Sequence, residues 1–319
     1  MQVVGQTIVV LGTGGTIAGT SSSAANHIAY QAAQVGVADL LRSVPGLNES
    51  VGKSVETEQV AQVDSKDMDF EIWKRLADRC QHHLDRPSVK GVVITHGTDT
   101  LEETAWFLHE VLSCSKPVVL TCAMRPATAL TPDGPQNLLD AVSLAQTADV
   151  RGVFAVAAGE VHGARLVQKV HPYRVNAFAS GDSGPMGWIE EGTVRWAQNR
   201  LPARDEKARV AMNSIANAAA VPRVEILLSH AGASGALVDT LVRDGVQGVV
   251  VACTGNGTIH HALEAALLRA QTAGVRVVRA TRCTGGQVLP KPGDLFADSH
   301  GLSPVKARIA LMLDLLAAP

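Results

Sequence analysis

The stretch GVVITHGTDTLEET, residues 91–104, decides how this chain is read. An apolar run stops abruptly at Thr95-His96-Gly97-Thr98-Asp99-Thr100, and a helix-forming segment, LEETAWFLHEVL, begins at once. Three hydroxyls, an imidazole and a carboxylate therefore crowd one strand-to-helix junction. Asp99 can serve there as the N-cap of the following helix, with Glu102 and Glu103 complementing its positive end. Alternatively, the junction is one end of an open parallel sheet, where ligands bind outside the carboxyl ends of the strands. The second reading requires matching chemistry at other strand ends.

Working outward, Val- and Ile-rich runs alternate with helical patterns along the chain. TIVVLG, GVVITH, KPVVLTC and GVFAVAAG come first, and VEILLS, GVVVAC and RVVRAT follow. Between them lie amphipathic stretches at Lys66 to Leu84, Leu101 to Leu112, Pro135 to Thr147, Ser234 to Arg243 and Thr258 to Ala273. This rhythm predicts an α/β protein with parallel sheets covered by helices on both faces. The segment NRLPARDEKARVAMNSIANAAAVP breaks it with charges and then small residues. A larger N-terminal parallel-sheet domain of flavodoxin- or Rossmann-like character is expected over residues 1–202. A linker at 203–222 and a smaller C-terminal α/β domain at 223–319 complete the expected organisation.

With 319 residues, 46% of them hydrophobic and 18% charged, the chain has enough apolar material for two cores. A net charge of −2 with scattered Lys and Arg gives no footprint for nucleic acid or an anionic membrane, which leaves a small molecule as the expected partner. The five cysteines, Cys80, Cys114, Cys122, Cys253 and Cys283, lack metal-ligand spacing and read as reduced thiols. His82-His83 and His260-His261 are adjacent pairs, expected on different helix faces and not as metal ligands. The opening MQVVGQTIVVLGTGG has no basic n-region and no cleavage site. The expected location is the cytoplasm, or the periplasm if a leader has been removed.

The first strand ends in Gly12-Thr13-Gly14-Gly15-Thr16-Ile17-Ala18-Gly19. Ile17 stands where a dinucleotide fingerprint needs its third glycine, and no Gly-Lys-Ser/Thr follows for a P-loop. The glycines suit either a tight turn with positive φ or a backbone that approaches a ligand and aims amides at developing charge. A threonine in such a turn is a candidate nucleophile.

TGGTIAG and HGTDT, in this order after two apolar strands, resemble the signature turns of the bacterial-type L-asparaginases. The resemblance extends to YQAAQVGV, DSKDM, Lys169, the GNG turn at Gly255 to Gly257 and the closing LSPVKARIALML. It implies an amidohydrolase that converts L-asparagine and water to L-aspartate and ammonia, without cofactor or metal. It also implies a homotetramer built from two intimate dimers.

Position by position, Thr16 resembles the family nucleophile, and Tyr30 the lid tyrosine that orients it. Ser65 and Asp99 match the grips on the substrate's α-carboxylate and α-ammonium groups. Thr98, Lys169 and Asp99 match a second cluster, and Asn256 an asparagine lent to a neighbouring subunit's site. Each position also has a plainer reading. Lys169 fits a solvated loop lysine, Ser65 a helix N-cap, Asn256 an αL turn residue, and His96 a packed or turn-bonded histidine. As a base, Lys169 must be neutral for part of the time, and a substrate ammonium held by Asp99 favours that state.

Two departures stand out. Lys66 occupies a position where many family members have glutamine or glutamate. The stretch RCTGGQVLPKPGDLFADSHGLS lacks the glutamate that several members extend across the subunit interface, leaving Asp294 and Asp298 as possible substitutes. The choice between asparagine and glutamine therefore stays open, as do another small amino-acid amide and a non-catalytic effector-binding role.

Overall fold

A computed structural model describes residues 7–21, 30–44, 46–47, 55–197, 215 and 220–318. The chain forms two compact units, Met1–Arg209 and Val210–Pro319. Most of the expected linker lies outside the described residues.

In the first unit, β1 (Thr7–Gly14) is followed by the short helix α1 (Val37–Arg42) and β2 (Val55–Val63). Next come α2 (Phe70–Leu84), β3 (Val89–Thr95), α3 (Leu101–Val111), β4 (Pro117–Thr121), α4 (Gly134–Gln146) and β5 (Gly152–Ala157). Five short strands follow among the described residues: β6 (Glu160–Gly163), β7 (Gln168–Lys169), β8 (Phe178–Ala179), β9 (Gly187–Glu190) and β10 (Thr193–Trp196).

Eight of these strands make one sheet in the order β10-β9-β6-β5-β4-β3-β1-β2. From β5 to β2 it is parallel, in the flavodoxin-like order whose switch point falls between β1 and β3. The expected parallel sheet is thus present, and at its other edge it is extended by β6, β9 and β10, which run antiparallel. Two-residue turns explain the difference. Ala158-Gly159 and Glu191-Gly192 both have positive φ at each residue, as tight hairpins between right-twisted strands require.

Every residue of β1 is buried, as befits a central parallel strand. Ile8, Val10, Val93 and Val119 join Val37 and Leu41 of α1 and Leu138 and Val142 of α4 in one core. The alternate residues Val9, Leu11, Val92 and Ile94 are equally buried on the opposite face, the side of α2 and α3. Helix α2 starts later than its amphipathic pattern suggests. Ser65–Asp67 forms a separate 3-10 turn, and the Asp69 carboxylate caps α2 by accepting from the Ile72 amide at 2.8 Å.

The second unit is a parallel sheet of β11 (Val224–Leu228), β12 (Gly248–Cys253), β13 (Arg276–Thr281) and β14 (Ala297–Asp298), in that order. It carries the helices α5 (Ala236–Arg243), α6 (His261–Thr272) and α7 (Pro304–Ala317). Val249, Val251 and Val277 pack with Val238, Leu263 and Leu267 in its core. Among the described residues, no helix is long and apolar enough to cross a membrane.

Candidate active site

The carboxyl ends of β1 and β3, which flank the switch point, carry the two threonine-glycine turns. Thr13 Oγ1 donates to the Thr95 carbonyl at 2.9 Å and ties the two strand ends together. Just beyond, Gly15 and Gly97 meet backbone to backbone, and a Cβ on Gly15 would lie 2.8 Å from the His96 carbonyl carbon and closer still to Gly97. Gly14 and Gly15 have φ of 105° and 80°, conformations open to glycine at little cost. Thr16 and Thr98, the next residue in each turn, are thereby brought to the same end of the sheet.

Thr16 opens a 3-10 turn that ends at Ala18, and its Oγ1 lies 2.7 Å from the Tyr30 Oη. Tyr30 is positioned by its neighbour: Thr20 and Gln31 exchange two backbone hydrogen bonds of 2.9 Å. Residues 22–29 of the expected lid lie outside the described residues. Three of this turn's amides bond within the protein, which accords at those positions with the tight-turn reading of its glycines. The Gly15 amide donates to Val63, Ala18 to Gly15, and Gly19 to Thr16.

On the second turn, Lys169 Nζ donates to Thr98 Oγ1 at 2.7 Å and to Asp99 Oδ1 at 2.6 Å. The lysine is mostly shielded, with 16% of its side chain exposed, whereas the Asp99 side chain is 54% exposed. Lys169 is thus no solvated loop residue. Nor does Asp99 cap α3, whose N-cap is Thr100; its carboxylate is directed to Lys169. The Asp99 amide donates to Ser65 Oγ at 3.1 Å, and Thr100 Oγ1 donates to the Ser65 carbonyl at 2.7 Å. Ser65 caps no helix; it clasps the HGTDT turn from the neighbouring loop.

His96 is fully buried. Its Nδ1 bonds the Gly97 carbonyl at 2.7 Å, and its Nε2 faces Thr104 Oγ1 at 2.9 Å. Trp73 Nε1 donates to that same hydroxyl at 2.8 Å, so Thr104 passes its own proton toward Nε2 and Nδ1 carries the ring hydrogen. Burial pushes the His96 pKa down to about 4, against the Gly97 carbonyl, and the ring is neutral near pH 7. It buttresses the turn, as a packed histidine should.

Similarity to known proteins agrees with this geometry. Residues 7–202 match the family model "Asparaginase, N-terminal", and residues 223–318 match "Glutaminase/Asparaginase C-terminal domain". The chain belongs to the asparaginase family. It is 39% identical to the glutaminase-asparaginase of Pseudomonas fluorescens biotype A, over 97% of this chain and 86% of the relative. With L-asparaginase 2 of Bacillus subtilis strain 168 the identity is 37%, over 97% and 82%. The crystal structure of a probable cytoplasmic L-asparaginase from Campylobacter jejuni superposes with a TM-score of 0.91 at 37% identity, covering 98% of this chain and 96% of that one. Another relative, from Haemophilus influenzae, is named a probable periplasmic L-asparaginase.

Within this asparaginase-family chain, the residues at the two departures are already engaged. Lys66 is 60% exposed and paired with Asp67. The hydrogen bond to Asp67 holds its ammonium above the ordinary lysine range, with the charges of Asp67, Asp64 and Asp99 adding to it. Asp294 pairs with Arg279 at 2.7 Å and accepts from the Lys291 amide, while Asp298 accepts from the His300 amide at 2.7 Å. Asn256 exchanges hydrogen bonds with the Leu289 backbone, donating at 3.2 Å and accepting at 2.7 Å. The positive φ values of its turn belong to Gly255 and Gly257, not to Asn256.

The histidine pairs differ from each other. His83 is buried against Glu58 and Arg86 while His82 is exposed, but His260 and His261 stack at 4.4 Å instead of diverging. The reason is that His260 is the N-cap of α6 and not part of the helix. Four of the cysteines are buried free thiols, and Cys283 is an exposed one.

Proposed function

We propose that the protein hydrolyses the side-chain amide of L-asparagine to L-aspartate and ammonia, with Thr16 as the nucleophile. The observation that carries this reading is the pair of adjoining turns. One presents a tyrosine-bonded threonine, the other a threonine bonded to lysine and aspartate. Simple binding of an amino acid needs no such hydroxyls, whereas acyl transfer needs a nucleophile and a group that takes its proton.

In this reading Thr16 Oγ1 attacks the carboxamide carbon, oriented by Tyr30. The C–N bond breaks, ammonia leaves with the proton, and water then cleaves the ester and restores the Thr16 hydroxyl. Thr98 and Lys169 assist the attack or the water step. Ser65 suits the α-carboxylate: its oxygen accepts from Asp99, so its hydroxyl proton points elsewhere as a donor. The exposed Asp99 carboxylate suits the α-ammonium.

Glutamine is a second expected substrate. One methylene typically changes discrimination by only about 1–3 kcal/mol, and a relative at 39% identity is named for both activities. We further propose a homotetramer made of two close dimers, working in the cytoplasm. We propose too that Asn256, an exposed residue held by its bonds to the Leu289 backbone, is lent to a neighbouring subunit's site. Ammonia release measured with L-Asn, L-Gln and D-Asn tests the reading. Tight binding of L-Asn without release would replace it with an effector-binding role.

A further inference from the structure

We infer that Glu102 is a positioning residue for Lys169, because its carboxylate holds the lysine's backbone while Thr98 and Asp99 hold its ammonium. The inference deepens the amidohydrolase reading above and rests on it for its catalytic meaning. Lys169 lies on β7, a strand of two residues that pairs with the two residues of β8 in a ladder separate from the main sheet. So small a ladder is a weak anchor for a residue on which proton transfer depends.

The Lys169 amide donates to Glu102 Oε1 at 3.1 Å. Glu102 sits in the first turn of α3, three residues beyond Asp99. One continuous piece of chain, Thr98 to Glu102, therefore grips both ends of Lys169: two acceptors on Nζ and a third on the backbone N–H. A lysine stem is four flexible carbons long, and fixing only its tip leaves its Cα free to shift. A hydrogen bond to a carboxylate is among the stronger ways to prevent that.

An acidic residue in a first helical turn also stabilises the helix through its charge alone. The two roles differ in what they require. Helix stabilisation needs the negative charge, whereas positioning needs an acceptor oxygen at the right place, which glutamine also has.

The test compares Glu102→Ala with Glu102→Gln by crystal structure and by steady-state ammonia release from L-Asn. In Glu102→Ala we expect the Lys169 backbone to move and Nζ to leave Thr98 Oγ1. The accompanying fall in kcat is about 10- to 100-fold, with KM changing much less, as for a misplaced catalytic group. Glu102→Gln should restore the lysine's place and most of kcat. An unmoved Lys169 in Glu102→Ala, or a glutamine variant as impaired as the alanine one, overturns the inference. Should the parent release no ammonia, the amidohydrolase reading fails, and the position of Lys169 in the two variants still decides whether Glu102 holds it.

Discussion

Gly15 and Gly97 lie backbone against backbone, and this contact joins the two threonine turns. Ser65 crowds Gly97 as well, since a Cβ there would fall 2.7 Å from that of Ser65 and closer to its hydroxyl. Gly97→Ala should therefore push Ser65 and the HGTDT turn apart. The expected cost is about 1–3 kcal/mol of stability, the range for overpacking a filled site, together with a large loss of kcat/KM. Adding Ser65→Gly to Gly97→Ala should restore part of the melting temperature but not the activity. Urea titrations and ammonia assays of the single and double variants check both halves. A Gly97→Ala enzyme of parental activity would mean that the turns need not touch.

The Tyr30 hydroxyl at 2.7 Å from Thr16 Oγ1 separates the roles of the two threonines. Tyr30→Phe should lower kcat while leaving the fold intact. Lys169→Met should lower it by roughly 10²- to 10⁴-fold, the span of general base assistance. In Thr98→Val an acyl-enzyme should accumulate on Thr16, located by mass spectrometry of the peptide containing TGGTIAG. An adduct on any other residue would reassign the nucleophile.

Much of this arrangement was legible in the sequence because the central strands are continuous apolar runs that end in polar turns. β1, β3, β4 and β5 could be read that way, and with them the places of Thr16, Thr98 and Asp99. β2 was not legible, since VETEQVAQV mixes charged with apolar residues; it is an edge strand whose first half is largely exposed. The two-residue strand under Lys169 leaves no periodicity to read, so its link to Glu102 emerges only in three dimensions. The same holds for Ser65. Its local pattern suggests a cap, yet its partners lie 34 and 35 residues away in the HGTDT turn.

His96 gives the protein an acid-sensitive buttress. Its folded pKa, about 4, lies below the ordinary 6.5 of an unfolded histidine. The unfolded chain thus binds the proton more readily, and this group's contribution is complete above pH 6.5 and lost as pH falls toward 4. The full contribution is of order 3 kcal/mol. Urea unfolding free energies should slope downward over that interval, and His96→Gln should remove the part of the slope that belongs to this residue. An unchanged slope in the variant would show that other groups produce it.

Asp294 supplies the contrast between a residue that replaces a lost function and one that holds a fold. Its carboxylate faces Arg279 with both side chains largely shielded, at 13% and 8% exposure. The same guanidinium donates to the Phe296 carbonyl at 3.2 Å and reaches Gly257 O at 3.4 Å. Arg279 holds Asp294 below the usual carboxylate range, chiefly through their hydrogen bond. Removing the carboxylate leaves a shielded guanidinium without its counter-charge, a change that destabilises far more than deleting the pair together. Asp294→Ala should consequently melt at a lower temperature than the parent, and a double change with Arg279→Met should recover part of that loss. KM for L-asparagine, measured well below the melting point, should stay within about twofold of the parent, as expected for a site not coupled to the substrate. A selective rise in KM with an unchanged melting temperature would instead make Asp294 a substrate ligand.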